Sequence, residues 1–163
     1  MSRFFCLLAV VLMGCKDEAE CKVGDLGGDV AQATVNGADW AASGGTWGVA
    51  GSGIQVSMES ASQVMLNLAA KRDDGGEGVA DAIEAGDFPI IIDLGGSDGH
   101  GAVFDGRNSP VPYASNETGG SGTMTISGVS GDDKLSACFE LDAIANDGKS
   151  VMEIREGRVT ISQ

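Results

Sequence analysis

The stretch LSACFELDA (135–143) alternates side chains without a break: Leu135, Ala137, Phe139 and Leu141 are apolar, while Ser136, Cys138, Glu140 and Asp142 between them suit a solvent face. Successive side chains of an extended strand point to opposite faces, so a strand sorts this set into an inner and an outer row. The same period recurs through the chain. Ile54, Val56 and Met58 form one such row, Val64, Leu66 and Leu68 another, and Met124 with Ile126 a third. Strands are expected over 30–36, 45–51, 53–60, 63–71, 87–94, 101–105, 122–129, 135–144, 150–156 and 158–162. Between them stand Ser-Gly at 52–53, Gly-Asp-Asp at 131–133 and Asn-Asp-Gly at 146–148, turn residues suited to antiparallel hairpins. Near the end the inward parity changes: Met152 and Ile154 are even, Val159 and Ile161 odd. A bulge at Gly157 is the expected cause. The Ala- and Glu-rich segment 78–87 is too short to hold itself as a helix and is read as one turn at most. The 26 glycines follow no fixed period and read as turns and bulges. The expected fold is all-β, an antiparallel β-sandwich or barrel-like single domain.

The opening MSRFFCLLAVVLMGCKDEAEC follows a different rule. Arg3 is a positive n-region, Phe4 to Met13 an apolar run, and Gly14 a small residue at the point where a peptidase needs one. Ten apolar residues are half of the roughly 20 needed to span a bilayer, so the segment reads as a signal peptide and not as a transmembrane helix. Leu12-Met13-Gly14-Cys15 resembles the bacterial lipobox. That resemblance implies cleavage before Cys15, acylation of its thiol and an anchor of several chains. At about 0.8 kcal/mol per buried CH₂ such attachment is effectively permanent. Lys16, where an Asp would direct retention at the inner membrane, implies the outer membrane.

Three regions follow: a signal peptide at 1–14, a flexible acidic tether at 15–29 and a single β domain at 30–163. Loss of Arg3 with the signal leaves nine of the ten basic residues against 24 acidic ones, a net charge of about −15. Nucleic-acid binding needs clustered Lys and Arg to release phosphate counterions, and here the basic residues are dispersed among carboxylates. An acidic surface is also repelled by anionic headgroups, so membrane contact is expected through the N-terminal lipid only. The roughly 149 mature residues suffice for one core burying about two-thirds of the unfolded surface.

Four cysteines are present. Cys6 leaves with the signal and Cys15 takes the lipid, which leaves Cys21 and Cys138 as an even pair in an exported chain. Cys138 occupies the outer row of its strand. A disulfide between Cys21 and Cys138 is expected, stapling the tether across that face; two unrelated thiols are the alternative.

The segments ATVNGADW (33–40), AGDF (85–88), SGTMTIS (121–127) and SACFELDAIANDGKSVMEIREGRVTI (136–161) together resemble a family of uncharacterised bacterial lipoproteins. That family opens on A-T-V-N-G-x-x-W and closes on G-x-x-V-x-I-x-E-G-x-F. Phe88 and Val159 stand where the family usually has Tyr and an aromatic residue. The resemblance implies a compact β-sandwich or barrel at the cell envelope and supplies no activity.

Candidate chemistry is sparse. Gly95-Gly96-Ser97-Asp98-Gly99 matches G-x-S-x-G beside His100, but a nucleophile elbow needs a helix after the serine and alternating glycines follow instead. A turn between strands is the better reading. Asp93, Asp98 and Asp105 share a Gly-rich stretch of the kind that holds Ca²⁺, without EF-hand spacing, and GGEGVAD (75–81) misses the calcium repeat by one residue. Zinc has a single His and two cysteines better used in a bridge. Asp73-Asp74 and Asp132-Asp133 read as solvated loop charges. Trp40 and Trp47 are read as core anchors, with a sugar-binding platform as the alternative. No catalytic residue, metal or cofactor is expected. The expectation is a non-enzymatic, lipid-anchored interaction or structural module of the envelope, its protein or glycan partner open. The alternative is a small-ligand or carbohydrate binder, and a hydrolase comes third.

Overall fold

The computed structural model describes residues 21–50, 53–71, 90–95, 99–106, 112–130 and 134–163. Among them are eleven strands: β1 (Ala31–Val35), β2 (Ala38–Ala42), β3 (Gly44–Ala50), β4 (Gly53–Glu59), β5 (Val64–Lys71), β6 (Ile90–Asp93), β7 (Gly99–Asp105), β8 (Pro112–Ala114), β9 (Ser121–Ser130), β10 (Lys134–Ala145) and β11 (Val151–Ser162). The all-β expectation holds, and every pairing is antiparallel. The expected helical turn at 78–87 lies outside the described residues.

Two strands were not anticipated. β2 follows β1 through Asn36 and Gly37, whose φ values of 49° and 77° are those of a type I′ turn, with Val35 opposite Ala38. Asn36 also extends the neighbouring ladder, its side-chain oxygen accepting the Glu153 N–H at 2.8 Å. β8 is three residues long and starts on Pro112, where no period can be read.

The strands run in the order β2-β1-β11-β10-β8-β7-β5-β4-β3, with β6 and β9 branching from β10. Residues 134–142 of β10 pair with β9, and residues 144–145 pair with β8. The two arms that diverge at this point curl toward each other. A Cβ on Gly101 of β7 would strike Leu141 of β10, and one on Gly45 of β3 would lie 2.7 Å from Ile161 Cδ1 of β11. These close approaches set the inner faces of β10–β11 against those of β7 and β3. The result is one nearly closed, barrel-like sheet.

Its interior is filled by the inward rows. Ile54, Val56, Met58, Leu66, Leu68, Met124, Ile126, Leu135, Phe139, Leu141, Ile154 and Ile161 are all buried in one cluster. At about 25 cal/mol per Å² of apolar surface removed from water, this burial is the main stabilising term.

The bulge at Gly157 is present. Phe139 faces Gly157 and Leu141 faces Ile154, so Arg155 and Glu156 together oppose Glu140. Glu156 takes a left-handed φ of 54° there, and Phe139 occupies the space a Gly157 side chain would need. This insertion lets Met152 and Ile154 on one side, and Val159 and Ile161 on the other, all reach the core.

Candidate functional site

Cys21 and Cys138 form a disulfide, with their Cα atoms 5.6 Å apart and their positions 117 apart in sequence. It closes a path across the outer face of the sheet. Cys138 lies opposite Arg158 of β11 and Thr125 of β9, Arg158 lies opposite Gln32 of β1, and Thr125 lies opposite Ile91 of β6. A single outer row therefore runs Gln32, Arg158, Cys138, Thr125, Ile91. Residues 21–29 cross the first half of it. Gly24 sits beside the Arg158 guanidinium, where a Cβ would lie 3.9 Å from Nη1, and the Leu26 carbonyl accepts the Gln32 amide at 3.0 Å. Arg158 in turn donates to Gln32 Oε1 at 3.0 Å.

This strap is fixed by more than its sulfur bridge. Val23 and Leu26 are buried, although they do not belong to the interior cluster. A turn closes over Leu26 to Asp29 with a backbone bond of 3.1 Å, and the Asp25 carboxylate accepts the Gly27 N–H at 2.9 Å. The chain then enters the sheet at Val30, which bonds to Ala42 and Thr160. Of the tether expected at 15–29, residues 21–29 lie as a layer on the sheet, stapled across its outer face. The signal was the apolar pair Val23 and Leu26, hidden by surrounding Gly and Asp. Cys15 and residues 16–20 lie outside the described residues.

The other candidate residues do not assemble. Ser97 and Asp98 lie outside the described residues, as do Asp73-Asp74, Asp132-Asp133 and 75–81. After the G-x-S-x-G stretch comes β7, a strand, with His100 exposed and paired to Ala69 of β5. A strand, and not the helix that a nucleophile elbow requires, begins at Gly99. Asp93 is exposed and its carboxylate accepts the Gly95 N–H at 2.8 Å, while Asp105 is buried at the far end of β7. Among the described residues no three His, Cys, Asp or Glu side chains converge as a metal site.

Trp40 and Trp47 are both buried in the core cluster, Trp40 donating to the Val64 carbonyl at 3.4 Å. They are core anchors, and a sugar platform built from them is excluded. Ser115, fully buried, is a structural hydroxyl. Its Oγ accepts the Gly101 N–H at 2.6 Å and donates to the Leu94 carbonyl, tying β7 to the end of β6 where the arms diverge.

An open hollow of about 480 Å³ lies at the outer side of β3–β4–β5, lined by Gly44, Thr46, Ser57, Glu59, Ala61 and Met65 among others. It offers hydroxyls and one carboxylate, without a basic residue in its lining. On the strapped face, Arg155 pairs with Asp142 at 2.5 Å and also donates to the Leu141 and Ile154 carbonyls. The hydrogen bond to Asp142 is the main cause holding the Arg155 guanidinium above arginine's ordinary pKa.

No family model, curated protein or solved structure matches the chain.

Proposed function

We propose that the protein is a lipid-anchored module of the bacterial cell envelope, tethered through Cys15, that acts as a non-enzymatic interaction or structural domain. One observation carries this reading: the Leu12-Met13-Gly14-Cys15 sequence follows a ten-residue apolar run and stands six residues before a cysteine that is bridged to the sheet. Disulfides persist in exported chains and are rare in reducing compartments, so the bridge supports export independently of the leader. The interior among the described residues is filled with aliphatic and aromatic side chains, and Ser115 is engaged in backbone hydrogen bonds, which agrees with a structural or interaction role. The envelope-lipoprotein resemblance of the ATVNGADW opening agrees with the same reading.

The test is Cys15→Ser in a bacterium that processes lipoproteins. The thiol is the acyl acceptor, so the variant stays uncleaved and leaves the detergent phase, while the parent is cleaved and partitions into it. A Ser variant that is still cleaved and still partitions with the parent defeats the anchor.

A further inference from the structure

We infer that the outer face of β6, β9 and β10, carrying the 57 % exposed Ile91, Thr125 and Cys138, is the side this protein turns toward the bilayer, and that the strap closed by the Cys21–Cys138 bridge sets that orientation and the standoff. The inference rests on the Cys15 anchor of the proposed function.

Chain length carries it. From Cys15 to Cys21 there are six residue steps, which reach at most about 21 Å when fully extended. From Cys15 to Val30, the first residue held in the sheet, there are fifteen steps, at most about 50 Å. The bridge therefore moves the point of attachment. With the whole strap freed the leash would end at the start of β1; with the strap bridged at Cys21 it ends on the outer face of β10, between Arg158 and Thr125. A leash so short brings the side from which it leaves nearest the lipid.

The opposite side is identified by packing. Leu141, from the inner face of β10, abuts Gly101 of β7 and neighbours Leu68 of β5, so the outer face of the β3–β4–β5–β7 arm points away from that of β10. Gln55 of β4 is exposed on that far face. The strap divides the near face unevenly: it covers the row from Gln32 to Cys138 and leaves Thr125 and Ile91 uncovered. Ile91 is the most exposed large apolar side chain among the described residues, and it stands on a four-residue strand that pairs, among those residues, with β9 alone. This uncovered half is what we place opposite the headgroup layer of the membrane that holds the anchor, facing it across the standoff without insertion, since the acidic domain is repelled by anionic headgroups.

The experiment uses the full lipidated chain, reconstituted into phosphatidylethanolamine–phosphatidylglycerol vesicles that contain a headgroup-linked acceptor dye. A donor dye is placed through a bio-orthogonal side chain at position 91 or at position 55, and attachment is checked separately by flotation with the vesicles. The expected result is stronger energy transfer from position 91 than from position 55. That difference is lost in a variant combining Cys138→Ser with Val23→Ser and Leu26→Ser, which frees the strap; an unchanged far-ultraviolet spectrum and cooperative melting show that its barrel remains folded. Equal transfer from the two positions in the parent, with flotation intact, overturns the orientation and leaves the anchor standing. A parent that does not float overturns the anchor and the orientation together. A difference that persists in the freed variant overturns the role assigned to the strap.

Discussion

Glu156 and Gly157 show how one pair of residues decides the path of a strand. Glu156 is a non-glycine residue with a left-handed φ of 54°, a conformation that costs an L-residue roughly 1 kcal/mol or more. Glycine relieves that strain, so Glu156→Gly is expected to leave stability unchanged or raise it by up to about 1 kcal/mol in urea unfolding. Gly157 behaves oppositely. A Cβ there would lie 2.5 Å from the Phe139 carbonyl oxygen and collide with the Phe139 ring, so Gly157→Ala is expected to cost about 1 to 3 kcal/mol by overpacking. Trp40, 6 % exposed and bonded to Val64, has no comparable freedom to be lost cheaply, and Trp40→Ala is expected to cost roughly 3 to 5 kcal/mol through lost burial and a residual cavity. The Arg155–Asp142 pair works on a smaller scale. Both partners are partly solvated, so the pair contributes less than about 1 kcal/mol. Because the guanidinium's pKa is raised on folding, the contribution of its charge is fully present below arginine's ordinary pKa and is lost as the pH rises into strong alkali.

At the level of elements, the strap and the branch point each join parts that a period-two reading treats separately. Val23 and Leu26 bury themselves outside the barrel, and the bridge closes a loop of 117 residues. The chain-entropy account values that closure at roughly 4 to 5 kcal/mol as an upper figure, so Cys138→Ser is expected to lower stability by a few kcal/mol, measured against the unreduced parent. Ser115→Ala is expected to cost about 1 to 3 kcal/mol, because the Gly101 N–H and the Leu94 carbonyl lose their buried partner. The long alternating strands were legible from sequence, and so was the shift of face at Gly157, because burial imposes a strict period on them. β2 was not, although Asn36-Gly37 announces its turn: Ala38, Asp39, Trp40 and Ala41 mix exposed and buried positions, with one large apolar side chain among them. The strap was legible only through its cysteine. Its two apolar residues are too few to form a period, and their burial depends on a sheet assembled from residues a hundred positions away.

For the whole molecule, the nearly closed barrel supplies a rigid body and the strap determines how that body is held. Of the sequence features that pointed to chemistry, the described aspartates serve the fold: Asp93 ends β6 and its carboxylate accepts the Gly95 N–H, and Asp105 is buried at the end of β7, whose register with β5 begins at Gly99. The features that pointed to place, Cys15 and Cys21, lie six residues apart, and the second is bridged to β10. The central claim is that one short N-terminal segment carries both a lipid at Cys15 and the bridge at Cys21. Peptide mass mapping of protein extracted from membranes without reduction tests both together. The expected result is an N-terminal peptide that begins at an acylated Cys15 and is linked through Cys21 to a peptide containing Cys138. A chain retaining Met1, or a Cys15 without lipid, contradicts the anchor, and free thiols at Cys21 and Cys138 contradict the strap.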